Sequence, residues 1–359
     1  MSKTILISTG GSGGHVFPAE ALAQKMLEKG WNVEIITDKR GKIYLNDLNP
    51  SIKLTTISIR KSSKRIFEKI IFSYFLIISI IESFIIFIKK RPNIVVGFGG
   101  YPSFPILLWA KFLKIKIIIH EQNVILGKVN KIFSKKASIV TFGLKPKENH
   151  DINFKNILVG TPVRSKILKF HKLNNKRNND KFKILVLGGS QGAKVLTETL
   201  LLTLKNFPND YMKNFFVYFQ CRLEDRIKVN LSLKELGIEN VTKVFFENIG
   251  EVIFQSDLVI SRAGATTISE LTIIGRPSIL VPLSIATNNH QFENALTLES
   301  FGASKIINEK DLNSKQLFRE IENFYLNPIL LKNMSKKVKQ LSRPNATHDL
   351  YEIINKKVN

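Results

Sequence analysis

One cysteine, Cys221, stands in 359 residues. A lone thiol cannot build an internal disulfide framework, and its scarcity suits a reducing compartment. The start, Met1-Ser-Lys-Thr, runs straight into a short strand-like segment. It lacks the long apolar region and small-residue cleavage site of a signal peptide, so the chain reads as cytosolic. Acidic residues are also few: 29 Asp and Glu against 54 Lys and Arg leave a net charge of +25. That balance favours a polyanionic partner, nucleic acid or an anionic membrane surface. A chain rich in Lys, Asn and Ile throughout would carry the same excess with no partner at all. The charges are scattered and form no aromatic-interleaved motif, so nucleic acid is not expected.

Glycine signatures of the two commonest kinds are missing as well. The chain opens with Ile5-Leu-Ile-Ser-Thr-Gly-Gly-Ser-Gly-Gly-His15-Val-Phe-Pro18. A dinucleotide loop would need Gly-x-Gly-x-x-Gly and a Walker loop would end in Gly-Lys-Ser/Thr, whereas His15 follows Gly14 here. What is present is a buried strand, a glycine turn and, from Ala19 to Lys29, helical periodicity. Such a loop is either a plain tight turn or a floor on which backbone N–H groups meet a phosphate or sugar.

At 359 residues two domains are expected. Strands read at 33–37, 54–59, 93–97, 116–119, 137–141 and 156–159, with a helix at 106–112 between them. The strand at 93–97 enters a second glycine loop, Gly97-Phe-Gly-Gly-Tyr-Pro-Ser-Phe-Pro105, and the one at 116–119 closes on His120-Glu-Gln-Asn123. Polar residues gathered at the carboxyl end of a buried strand mark a ligand crevice in an α/β sheet. The polar run at 169–183 reads as a linker, which puts the boundary close to Arg164. The second half then repeats the first, with strand 184–187, glycine loop Gly188-Gly-Ser-Gln-Gly192 and a helix at 193–204. Strands at 215–219, 242–246, 258–260 and 278–281 follow, with short helices at 252–255 and 348–357. The echo predicts two doubly wound α/β domains facing each other across a cleft.

Between Ile70 and Ile88 nearly every residue is apolar, with basic residues on both borders, from Lys61 to Lys69 and from Lys89 to Arg91. Nineteen residues would just cross a bilayer. Glu82 near the middle would cost roughly 2.5 kcal/mol or more there, which counts against a span. A buried helix and a helix lying on an anionic membrane remain, and the greasy outer side expected of this segment favours the second.

Ser261-Arg-Ala-Gly-Ala-Thr-Thr-Ile-Ser-Glu270 carries a turn into a helix start, where N–H groups and the helix dipole favour a diphosphate. Glu270, on the first turn or so, is suited to a pair of ribose hydroxyls or simply to the helix dipole. These segments occur in one order with Pro162-Val-Arg164 and with Gln291 and Asn294. Together, from Thr4 to Lys357, they resemble the MurG family of bacterial glycosyltransferases, which add N-acetylglucosamine to lipid I to make lipid II for the cell wall.

The resemblance implies a GT-B fold. Residues 1–163 would form the acceptor and membrane-associating domain, joined by a terminal helix at 342–359, and residues 164–341 the UDP-N-acetylglucosamine domain. The donor would meet Ser12, Gly13, Gly14, Asn123, Arg164, Ser190 and the backbone of Phe246. It would also meet Ala265, Thr266, Thr267, Ile268, Ser269 and Glu270, with Gln291 and Asn294 on the sugar. Gly99, Gly100, Tyr101 and Ser103 would receive the acceptor diphosphate. Phe104 stands where family members typically carry a small residue. For the base, His15 is preferred, because imidazole is the side-chain type suited to proton transfer near neutral pH, and Glu121 is second. No Asp-x-Asp signature is evident, so no metal is expected; helix starts and Arg164 would stabilise the leaving group.

The implied partners are UDP-N-acetylglucosamine, the undecaprenyl-diphosphate-linked muramyl pentapeptide and, through 61–91, the cytoplasmic face of the inner membrane. Other proteins of cell-wall synthesis complete the set. The rival expectations are another lipid-acceptor glycosyltransferase and a UDP-N-acetylglucosamine 2-epimerase of similar fold.

Overall fold

The computed structural model describes residues 3–60, 66–147, 154–173, 181–188, 194–284 and 289–358. The chain divides into two compact units, Met1–Arg164 with Pro344–Asn359, and Ser165–Arg343.

The first unit is built on a parallel sheet of β1 (Thr4–Ser8), β2 (Asn32–Thr37), β3 (Lys53–Thr56), β4 (Ile94–Gly97), β5 (Lys116–Glu121), β6 (Ile139–Phe142) and β7 (Asn156–Leu158). Their order is β3-β2-β1-β4-β5-β6-β7. The inner strands read as unbroken apolar runs because helices cover both faces. Side chains alternate between those faces along each strand. Ile5, Ile7, Val33, Ile35, Ile94 and Val96 therefore pack on one side with Val16, Leu22 and Met26. Leu6, Ile36, Val95, Ile117 and Ile119 pack on the other with Ile86, Phe87, Ile106 and Leu107.

The second unit repeats the plan with β8 (Phe182–Leu187), β9 (Phe215–Gln220), β10 (Glu239–Lys243), β11 (Leu258–Ser261), β12 (Ser278–Leu280) and β13 (Lys305–Ile306), ordered β10-β9-β8-β11-β12-β13. In each sheet the chain starts at the centre, winds outward, then returns to wind the other way. The reversals lie between β1 and β4 and between β8 and β11, where Ser8 pairs with Gly97 and Leu187 with Ser261. The loops leaving the carboxyl ends of such a pair splay apart, and ligands of doubly wound sheets bind there. The glycine segments leave from these ends.

Ile66–Lys90 is one helix. Phe67, Ile70, Tyr74, Ile77, Ile81, Phe84, Ile85 and Ile88 recur three or four residues apart on its exposed side. The opposite side is pinned to the unit. Glu82 accepts hydrogen bonds from the Ser58 amide at 2.6 Å and hydroxyl at 2.8 Å. The Trp109 indole donates to the Ile80 carbonyl at 2.7 Å. Lys90 pairs with buried Glu34 at 2.8 Å. The mid-helix carboxylate thus has its partners inside the unit.

Four local expectations are corrected. The first helix spans Gly13–Glu28, not Ala19 onward, because extended Ser12 (φ −150°, ψ 158°) ends the turn and its carbonyl accepts from His15 N at 3.0 Å. His15 therefore sits on the first helical turn, not on a loop tip. The sheet segment expected to reach Phe246 ends at Lys243. Lys169–Lys172 is a 3-10 turn whose Phe170 is buried against Phe254, so the linker does not begin at Lys169. Residues 174–180, the middle of that run, lie outside the described residues, as do 61–65 of the basic border. Finally, Phe104 turns inward onto the Phe133 ring at 5.6 Å and fills the core instead of lining the loop.

The terminal helix, Ala346–Val358, places Leu350 and Ile354 in the first unit's core, each 0% exposed. Leu350→Ala should therefore cost roughly 2–5 kcal/mol, the lost transfer energy plus a cavity. Denaturant unfolding monitored in the first unit checks this; a change below 1 kcal/mol would show that the helix is not part of that core.

Candidate active site

At the first switch point two glycine loops lie on one another. A Cβ on Gly10 would come 2.4 Å from Pro102 Cγ, and one on Gly100 2.6 Å from the Gly10 carbonyl oxygen. Gly99 and Gly100 also hold φ near +87° and +81°, values that other residues rarely adopt. The Ser103 hydroxyl donates to the carbonyls of Ser8 at 3.0 Å and Gly99 at 2.8 Å, and its amide donates to Gly100. Ser103 is fully buried and both its donors are engaged, so the structure makes it a tie between the loops, not a diphosphate contact as expected. Tyr101 is half-buried with its ring edge on Phe72 at 6.4 Å.

Beside this pair stands the end of β5. Glu121 is 1% exposed. It accepts from Asn123 N at 3.1 Å, Asn123 Nδ2 at 2.8 Å, Gly127 N at 2.8 Å and Asn130 Nδ2 at 2.8 Å. Four donors thus occupy the oxygens of this carboxylate. Glu121 is thus the organiser of the 123–130 segment, and its geometry argues against the expected role as a base. His120 is fully buried; its Nδ1 lies 3.0 Å from Thr141 Oγ1, whose own proton goes to the Ile119 carbonyl. Nδ1 must then be the donor, and the ring is neutral. Burial, with nearby His15 adding to it, lowers the His120 pKa to about 3.

His15 is half-buried, with Nδ1 at 3.1 Å from Gln122 Oε1. Behind the glycine turn, Asp38 accepts from Gly11 N at 3.3 Å and Gly41 N at 2.8 Å while pairing with Arg40 at 2.7 Å. Ser12 and Gly14 are accessible, and Gly13 is buried with Phe17 against its Cα. Arg164 lies flat over the Phe17 ring at 3.9 Å, a cation–π contact that orients its guanidinium.

At the second switch point, Ala265–Ile274 begins immediately after Gly264 and carries no acid in its first turn. The positive dipole end of the helix lies at this turn, with no acidic side chain opposing it. Glu270 belongs to the second turn, a correction to its expected place, and is 7% exposed. Of Ala265 to Ser269 only Thr267 is part-exposed; Ile268 is 0% exposed in the core, and the Ser269 hydroxyl donates to Ala265 O at 2.9 Å. Their side chains hold the helix in place, and Thr267 is the one of these five left part-exposed. Asn294, 0% exposed, donates to Ala263 O at 3.2 Å, and Gln291 Oε1 accepts from Leu283 N at 3.0 Å. Phe246 is 5% exposed with its edge toward Tyr218. Ser190 lies outside the described residues.

Arg262 donates to Val281 O at 3.1 Å and pairs with Glu309, which accepts from Ser284 Oγ at 2.6 Å and Ser284 N at 3.0 Å. Burial works to raise the Glu309 carboxyl, yet the Ser284 donors and the Arg262 guanidinium hold it below the usual carboxylate range. Among the described residues no three His, Cys, Asp or Glu side chains gather as a metal site. Sequence reasoning missed Gln122, Asn130, Asp38 and Glu309. Gln122 stood inside a quoted motif; the others lie in stretches with no local signature.

Residues 5–142 match the N-terminal domain of glycosyltransferase family 28 and residues 183–350 match its C-terminal domain. The chain belongs to glycosyltransferase family 28. It is 36% identical to the UDP-N-acetylglucosamine--N-acetylmuramyl-(pentapeptide) pyrophosphoryl-undecaprenol N-acetylglucosamine transferase of Rickettsia bellii, over 97% of each chain. The crystal structure of MurG from Acinetobacter baumannii superposes with a TM-score of 0.74 at 26% identity, covering 99% of this chain and 100% of that one. A UDP-N-acetylglucosamine 2-epimerase from Neisseria meningitidis, at TM-score 0.68 and 13% identity over 98% and 100%, shares the fold alone. As a family member with two such sheets, this chain is a hexosyltransferase of GT-B fold.

Neutral His120 contributes stability that is fully present above its ordinary pKa of 6.5 and is lost as pH falls toward 3, since the unfolded chain then binds a proton the folded one refuses. Between pH 7 and pH 5 this amounts to about 2 kcal/mol. Comparing unfolding free energies of the wild type and His120→Phe at both pH values should show that difference; parallel pH profiles would contradict a neutral buried ring.

Proposed function

We propose that this chain moves N-acetylglucosamine from UDP-N-acetylglucosamine to the C4 hydroxyl of the muramyl sugar of lipid I, with inversion, giving lipid II. The observation that carries this reading is the match to the transferase across nearly the whole chain, coupled to the pair of glycine loops at the first switch point.

In this reading His15 Nε2 takes the proton of the C4 hydroxyl as its oxygen bonds to the donor's anomeric carbon. The bond from that carbon to the UDP oxygen breaks, and UDP departs from the opposite face. Departing negative charge is met by the positive dipole end of the helix that starts at Ala265 and by Arg164. Glu270 accepts the ribose hydroxyls, and Phe246 backbone meets the uracil. Gln291 and Asn294 serve the sugar, while Ser12, Gly13, Gly14 and Asn123 complete the donor contacts; Ser190 belongs with the diphosphate. Gly99, Gly100 and Tyr101 receive the acceptor diphosphate.

The first unit is the acceptor and membrane domain and the second the donor domain. The exposed stripe of Ile66–Lys90, with Lys69, Lys89 and Arg91 at its ends, rests on the anionic cytoplasmic face of the plasma membrane. Proteins of cell-wall synthesis are further partners.

Purified protein should transfer label from UDP-N-acetylglucosamine to a short-chain lipid I analogue with EDTA present, and His15→Ala should reduce kcat by about 100-fold or more. Free N-acetylmannosamine nucleotide without lipid product would instead identify an epimerase.

Glu270→Ala should weaken donor binding by roughly 1–3 kcal/mol in calorimetry. Unchanged donor affinity would remove Glu270 from the ribose.

Replacing Ile77, Ile81 and Ile85 together with Ser should release the protein from anionic vesicles and leave donor affinity intact. Persistent vesicle binding would place the membrane contact elsewhere.

A further inference from the structure

Gln122 is the side chain most tightly held against His15, and the reading above gives it no role. It is 1% exposed, and its two amide atoms cannot exchange places. Nε2 donates to the Phe98 carbonyl at 3.2 Å, while Oε1 lies 3.1 Å from His15 Nδ1. A carbonyl only accepts, so the NH2 group must face Phe98 and the amide oxygen must face the imidazole. An amide oxygen also only accepts, so His15 Nδ1 must carry the ring proton. The lone pair then resides on Nε2.

We infer that Gln122 is the positioning residue that fixes His15 as its Nδ1–H tautomer, leaving Nε2 as the basic atom offered to the acceptor hydroxyl. The inference rests on the reading of His15 as the base. The other surroundings of the ring are consistent with a held imidazole: a Cβ on Gly99 would lie 3.4 Å from His15 Cε1, so backbone closes that side of it. The Phe98 carbonyl that orients Gln122 enters the same glycine loop, whose shape is set by the contact with Gly10. Loop, amide and imidazole thus form one chain of orientation. A carboxylate in this place would do the same and add a negative charge; the neutral amide orients the ring without holding it as the cation, which cannot accept a proton.

The test is long-range proton–nitrogen correlation NMR of the full chain labelled at histidine nitrogen, with the His15 signals assigned by their loss in His15→Ala. The ring nitrogen shifts distinguish the two tautomers directly. Wild type should show His15 protonated at Nδ1. Gln122→Met, similar in length but unable to accept this bond, should show a mixture of tautomers. Its kcat should fall by about 10- to 100-fold while donor and acceptor KM stay within about twofold. Gln122→Glu keeps an acceptor oxygen toward Nδ1 and should restore the single tautomer. A wild-type His15 protonated at Nε2 would overturn the inference without any variant, and so would a Gln122→Met protein that retained the Nδ1–H form. Full transfer activity in His15→Ala would overturn the reading of His15 as base, and with it the catalytic part of this inference, while the tautomer result would still report whether Gln122 sets the ring.

Discussion

The approach of the Gly100 Cα to the Gly10 carbonyl is the contact on which the first unit's chemistry depends. A methyl group in the place of either α-hydrogen would drive the two loops apart. Their closeness lets Ser103 tie the end of β1 to the second loop. It also sets where the helix at Gly13 begins and therefore where the imidazole of His15 stands. The parallel sheet brings the loops together, because β1 and β4 are neighbours with aligned carboxyl ends although the long apolar helix lies between them in sequence.

Around these loops the buried carboxylates have their donors inside the unit. Glu121 holds the 123–130 segment and Asp38 holds the first glycine turn. In the second unit Glu309 joins Arg262 to the backbone at Ser284. Each carboxylate is surrounded by donors, which offset the cost of taking a polar group out of water. His120 follows the same logic by remaining neutral, through burial and a hydroxyl that accepts its single N–H. His15, by contrast, is partly accessible on the first turn of its helix.

The long apolar helix solves a different problem. Its inner side is fixed by Glu82, Ile86, Phe87 and the Lys90–Glu34 pair, and its outer side carries apolar groups that no neighbour within the unit covers. A carboxylate in the middle of such a helix would be costly in hydrocarbon, yet it is an ordinary hydrogen-bonded group against Ser58. The same largely apolar stretch therefore serves a surface helix, because one polar side chain and one tryptophan bind it sideways to the fold.

Periodicity and composition by themselves determined that the chain folds as two α/β halves, each opened by a strand and a glycine loop. They also marked the greasy helix and the motifs at strand ends, since strand alternation, glycine freedom and charge are properties of adjacent residues. They could not determine what those motif residues touch. Glu121 and Ser103 stood as ligand contacts in the sequence, and only the fold shows their oxygens engaged with Asn130, Gly127, Ser8 and Gly99. Gln122, silent between a glutamate and an asparagine, acquires meaning from Phe98 and His15, which reach it from 24 and 107 residues away in the chain. Hydrogen bonds are directional and short, so the use of a polar side chain is settled by whichever partners the sheet order brings within about 3 Å. That order is a property of the tertiary structure alone.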